Sequence, residues 1–223
     1  MTTHLEQELE NIRIKIFEMA DIAIEAVSGA VDSLKRSDIQ LAQKIIQNDS
    51  ALDRFEIMLD DECIRILVTK QPAAVDLRFV LTIIKMNAEL ERIGDLATNI
   101  AKETIRLNGN PPLKPLIDIP RMSAIAIEMI KETFDAFSDR DAVKAKMVVE
   151  RDREMDDLKN QIHRELFSYL AENPKTYSQV FGLITVAQLL ERIGDHATNM
   201  AERVIYFVKG VDVRHTHSFE EGQ

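Results

Sequence analysis

Tryptophan is absent from this 223-residue chain, cysteine occurs once, and glycine and proline number only 7 and 6. Few Gly and Pro beside abundant Ala, Leu, Ile, Glu, Lys and Asp read as a helix-rich protein. The single cysteine, Cys63, cannot form an internal disulfide, which suits a reducing compartment. It lies in the apolar run Cys63-Ile64-Arg65-Ile66-Leu67 and reads as a core residue rather than a reactive thiol. Surplus positive charge is also missing. The net charge of −10 argues against nonspecific binding to nucleic acid or anionic lipid, both of which need a basic surface. No apolar run approaches the length of a membrane span, and Met1-Thr2-Thr3-His4-Leu5-Glu6 lacks the apolar segment of a signal peptide. The expectation is a soluble, cytoplasmic protein.

What the chain does contain is a duplication. Glu91-Arg92-Ile93-Gly94-Asp95-Leu96-Ala97-Thr98-Asn99 returns 100 residues later as Glu191-Arg192-Ile193-Gly194-Asp195-His196-Ala197-Thr198-Asn199, with one difference. Each copy spaces a Glu, an Asp and an Asn by four, which lines their oxygens along one face of a helix.

Around these copies, apolar residues recur at helical spacing. Leu9, Ile12, Ile16, Met19, Ala23, Ala26, Ala30 and Leu34 mark a helix from about Leu5 to Lys35. Ser37 and Gln40 look like a capping box opening a second helix that runs to about Lys70. Pro72 is placed to start a third, from about Ala73 to Leu107, striped by Ile83, Met86, Leu90, Ile93, Ala97 and Ile100. The segment Gly109-Asn110-Pro111-Pro112-Leu113-Lys114-Pro115 then breaks helix. Beyond Pro120 the scheme returns: Asp152, Asp156, Glu165 and Leu170 match Asp49, Asp53, Glu62 and Leu67 at an offset of 103, which falls to 100 after the Asn173-Pro174 turn. Short connections make sequential helices antiparallel neighbours. The expected fold is all-α, two tandem three-helix bundles over 1–108 and 121–209, with a Pro-rich linker at 109–120 and a flexible tail at 210–223.

In such a hairpin, equal distance from the turn means equal height. Asp49 and Asp53 precede Pro72 by about 20 residues and Glu91 and Asp95 follow it by about as many, roughly 30 Å along the bundle. Asp152 and Asp156 stand likewise to Glu191 and Asp195 across Pro174. Each half therefore brings four carboxylates to one level, with Asn99 or Asn199 a turn further on, on a face away from the core stripe. Like charges at i,i+4 weaken a helix by about 0.2–0.5 kcal/mol, a penalty that a cation removes. Oxygen donors without cysteine favour Mg²⁺, Mn²⁺, Ca²⁺ or iron, and zinc less so. Duplication and matched height favour such a metal site over a merely solvated acidic face. Gly94 and Gly194 fit either close helix packing or room for a cluster, and Arg92 and Arg192 either pair with the acids or serve the surface. His196, which replaces Leu96, reads as a structural histidine before a ligand. No Glu-x-x-His, Gly-rich phosphate loop, nucleophile elbow or Cys-x-x-Cys occurs. A metal-dependent hydrolase or oxidase, clamping substrate between carboxylate-bound metals, is the alternative from another class, and a plain structural scaffold a third.

The two Glu-Arg-Ile-Gly-Asp segments, the preceding Gln71-Pro72-Ala73-Ala74-Val75-Asp76-Leu77-Arg78 and the duplicated halves resemble the PhoU family of bacterial phosphate-system regulators over nearly the whole chain. The resemblance implies a non-enzymatic, cytoplasmic, homodimeric protein. It would repress the phosphate regulon, modulate phosphate uptake, and link the phosphate ABC transporter ATPase to a sensor histidine kinase. Contact with the membrane would be peripheral, through those partners. The family's metal clusters, of iron or zinc in some members and with Mg²⁺ or Mn²⁺ in others, carry over to Asp49, Asp53, Glu91, Asp95 and Asn99 and to Asp152, Asp156, Glu191, Asp195 and Asn199. Asp76-Leu77-Arg78 has no twin, since the second half reads Tyr177-Ser178 there.

Overall fold

In the first half, a 33-residue helix α1 (His4–Arg36) buries Ile12, Ile16, Met19, Ala23, Val27, Ala30 and Leu34, a stripe of 3–4 spacing turned wholly inward. The structure, a computed structural model, describes residues 4–213. His215, His217 and most of the tail expected at 210–223 lie outside the described residues. The second helix, α2 (Ile39–Lys70), packs on α1, and α3 (Ala74–Leu107) packs on both.

The start of α2 is capped one residue later than the Ser37–Gln40 box implies. Ser37 adopts φ 52 and ends α1, while the Asp38 amide donates to Ser33 O at 2.8 Å. That hands the cap to Asp38, whose carboxylate accepts from Leu41 N at 3.0 Å. Its twin 103 residues on, Asp141, repeats the arrangement by accepting from Val143 N and Lys144 N. At the next turn Gln71 (φ 47) terminates α2, and α3 begins at Ala74, two residues after Pro72.

The second half repeats three rods, α4 (Asp118–Asp139), a broken middle rod, and α7 (Tyr177–Lys209). The middle rod divides into α5 (Ala142–Glu150) and α6 (Asp152–Glu172) at Arg151. The Arg151 guanidinium is anchored there by Glu132 at 2.8 Å and Glu128 at 2.9 Å, both on α4. Asn173 then caps the 3-10 turn Pro174–Thr176 that leads into α7. Six rods in two bundles are thus present, and no strand occurs among the described residues.

The halves are not held apart by the Pro-rich segment. Helix α3 packs along α7, and α1 along α4. Phe79 stacks on Phe137 at 5.5 Å and lies 5.6 Å from Phe207, so rings from α3, α4 and α7 share one apolar junction. Each such buried side chain contributes roughly 1.5–3 kcal/mol. The connecting segment is itself packed: Leu113 and Leu116 lie on the core, and Gln179 Nε2 donates to Pro111 O at 2.9 Å. No described helix is long and apolar enough to cross a membrane. Cys63 is fully buried, and burial, with Asp60 and Glu62 nearby, pushes its thiol up to about 12, which leaves it an inert core group.

Candidate metal centre

Gly94 and Gly194 set the distance between the helices that carry the acids. A Cβ on Gly94 would overlap the Leu52 side chain, and one on Gly194 would lie 3.2 Å from Met155 Cγ. Leu52 and Met155 are twins at the 103 offset, each lying between the paired aspartates of its helix. Close packing therefore accounts for both glycines, and the same contact draws Asp49 and Asp53 towards Glu91 and Asp95.

Acids on neighbouring helices perturb one another's charges. Burial, then repulsion from Asp95 and Asp53, raises Asp49 above the usual carboxylate range, opposed by a Thr98 hydrogen bond and by Lys102. Burial raises Glu91, helped by Asp95, Glu56 and Asp53. Glu56 is raised by burial and by Asp60 and Asp53. In the second half, burial and then Asp156 and Glu191 raise Asp152, whereas burial with Glu191 and Asp152 lifts Asp195 to about 6. In both halves, then, these carboxylates lie near enough to feel one another's charge.

The asparagines diverge. Asn99 Oδ1 accepts from Lys102 Nζ at 3.2 Å at the edge of the first set. Asn199 turns across the seam between the halves, its Nδ2 donating to Glu89 Oε2 at 3.3 Å. The same carboxylate meets His196 Nδ1 at 2.6 Å, which gives His196 a structural partner. Arg92 is exposed and reaches Glu89 Oε1 at 3.4 Å.

Three residues escape the spacing argument. Glu56 joins the first acidic set, Lys159 enters the second, and Glu89 occupies the seam. The first two are twins at the 103 offset, so aligning the halves position by position would have exposed them.

Among the described residues, no three His, Cys, Asp or Glu side chains converge closely enough to hold an ion as they stand. The donor chemistry nevertheless fits a hard cation in the first half, where Asp49, Asp53, Glu56, Glu91 and Asp95 repel one another. It fits poorly in the second, because Lys159 Nζ donates to Asp156 Oδ1 and to Glu191 Oε1, each at 2.6 Å.

Comparison with known proteins decides the kinship. The model of the PhoU domain matches residues 16–104 and again 119–204. The chain belongs to the PhoU family. It is 39% identical over 97% of its length to the phosphate-specific transport system accessory protein PhoU homolog of Aquifex aeolicus, covering 98% of that protein. With the Escherichia coli K12 phosphate-specific transport system accessory protein PhoU it shares 33% identity, over 93% of this chain and 86% of the other. The crystal structure of PhoU from Pseudomonas aeruginosa superposes with a TM-score of 0.88 at 37% identity, covering 93% of this chain and all of that one. The phosphate transport system regulatory protein PhoU from Streptococcus pneumoniae gives a TM-score of 0.87 at 25% identity, covering 94% and 99% of the two chains. The two PhoU matches fall on the two bundles, so the duplication read from Glu91–Asn99 and Glu191–Asn199 is a duplication of the family's domain.

Proposed function

We propose that this chain is a phosphate-transport accessory protein that acts by contact rather than by chemistry of its own. It serves as a cytoplasmic, homodimeric adaptor between the phosphate ABC transporter ATPase and a sensor histidine kinase. In that role it restrains the phosphate response when phosphate is plentiful. The observation that carries this reading is family membership over nearly the full chain, with relatives named as phosphate-specific transport system accessory proteins. The acidic balance of −10 agrees with protein partners rather than direct capture of a phosphate anion, which bare carboxylates repel.

The reading extends to a cation site. Asp49, Asp53, Glu91 and Asp95 with Glu56, and Asn99 at the edge, would hold a hard divalent ion in the first half. Asp152, Asp156, Glu191, Asp195 and Asn199 are the corresponding set in the second. A bound cation would supply the charge that relieves the repulsion between α2 and α3 and stiffen that hairpin. Co-purification of the chain with the transporter ATPase and the kinase, with and without phosphate, tests the adaptor role. Association with both is expected, and no association under either condition would defeat it.

A further inference from the structure

Helices α3 and α7 run antiparallel, Arg106 meeting Ser178 at one end and Arg78 meeting Phe207 at the other. The duplication therefore makes the two ends of the molecule twins. At one end Leu34, Ser37, Leu107 and Gln179 line a hollow; at the other, Phe137, Arg140, Phe207 and Phe79 line its counterpart, each at the 103 or 100 offset. The backbone repeats too, with Ser37 at φ 52 and Arg140 at φ 53. The first hollow is covered by the chain that leaves α3, residues 110–116, and only about 180 Å³ stays open there. The second is a cavity of about 440 Å³.

The chain that leaves α7 sets out along the same path. Leu113 and its twin Val213, 100 residues on, both pack on the core. Arg78, from the Asp76-Leu77-Arg78 element that has no twin, flanks this exit: its Nε donates to Phe207 O at 3.4 Å, and a Cβ on Gly210 would lie 3.8 Å from its guanidinium. Asp76 of the same element lines the cavity, with Glu6 and Glu10 of α1. The apolar wall is the ring cluster of Phe79, Phe137 and Phe207. Over it stands Arg140, its guanidinium 5.4 Å from the Phe207 ring and, among the described residues, in no ion pair within 4.0 Å. Rings beside an arginine suit an aromatic side chain followed by acids.

We infer that residues 214–223 fold back over this end and fill the cavity, with Phe219 against the ring cluster and Glu220 and Glu221 at Arg140. The segment carries that order of chemistry: Arg214 first, as Lys114 follows Leu113 in the other copy, then Phe219-Glu220-Glu221. Arg214 comes past the acids Glu6, Glu10 and Asp76. Reach is ample, since an extended chain covers roughly 20 Å between Val213 and Phe219, more than the short return to Phe207. The segment after α7 thus seals the junction of the two halves at its own end, as residues 110–116 do at the other.

Replacing Phe219 of the full chain by its benzoyl-bearing photoreactive analogue, and mapping the cross-links by mass spectrometry, tests this. Cross-links within one molecule, to the α1, α3, α4 and α7 segments around the cavity, are expected. Arg140→Glu should cut their yield at least about fivefold, and Glu220→Lys with Glu221→Lys in the same chain should restore it, a rescue that mere loss of packing would not give. Amide exchange is the second readout: Phe219→Ala should speed it several-fold in the last turn of α7 and leave α2 and α5 as they are. Cross-links between two molecules would assign the cavity to a second copy of this chain. Cross-links elsewhere, or none, would leave it to another partner. Either result, or exchange unchanged by Phe219→Ala, would overturn the inference.

Discussion

Glu89 on α3 and His196 on α7 meet at 2.6 Å across the seam that joins the two bundles. Their twins at the 100 offset are Leu189 and Leu96, both buried. A polar pair on one side of the seam therefore answers an apolar pair at the equivalent positions on the other. His196→Leu alone leaves the Glu89 carboxylate buried with only Asn199 and Arg92, and should cost about 1–3 kcal/mol. Adding Glu89→Leu should return most of that loss, since the seam already accepts leucines at the twin positions. A double-mutant cycle by urea denaturation checks this, and additive losses would show that the pair is not coupled.

The same pair makes stability depend on acid. Burial pushes Glu89 up, but the His196 hydrogen bond and charge, the Asn199 amide and Arg92 outweigh it and hold the carboxyl below its usual 4.5. A carboxyl depressed in the folded state contributes stability that is complete above its unfolded value and lost as pH falls through the folded one. Glu89→Gln should therefore flatten the stability profile of wild type below about pH 4.5. Denaturation midpoints between pH 3 and 7 check it.

The two motif glycines should respond differently to alanine. At Gly94 the new methyl meets Leu52, which is only 2% exposed, so overpacking exceeds the gain in helix propensity and Gly94→Ala should destabilise by about 1–2 kcal/mol. At Gly194 the neighbour is the flexible Met155 side chain at 3.2–3.3 Å, and Gly194→Ala should fall within about 0.5 kcal/mol of wild type. Urea unfolding of the two variants measures both.

Asp38, not Ser37, opens α2, so Asp38→Ala should cost about 0.5–2 kcal/mol. Ser37→Gly should stabilise, by up to about 1 kcal/mol, because Ser37 holds φ 52. Loss of stability in Ser37→Gly would restore the serine as the cap.

The rods were legible because each buries one stripe: Ile83 to Ile100 on α3 and Leu183 to Val204 on α7 repeat every three to four residues, and packing enforces that period. That Asp95 stands near enough to Asp49 to raise its carboxyl was legible from distance to the turn. The break at Arg151 was not, because Glu128 and Glu132, which anchor it, lie on another helix. Nor was the one-residue shift of the α2 cap, since the left-handed Ser37 before it depends on how the preceding helix ends. Glu56 and Lys159 were hidden because spacing that favours like residues passes over a pair that has changed sign.

The proposed role, restraint of the phosphate response through partner proteins, is one that living cells can report. Its most direct measurement is phosphate uptake, together with a reporter driven by the kinase, in cells lacking the chain and grown in ample phosphate. With that role the reporter is switched on in those cells and silenced again by the wild-type chain; a reporter equally silent with and without the chain would refute the proposal.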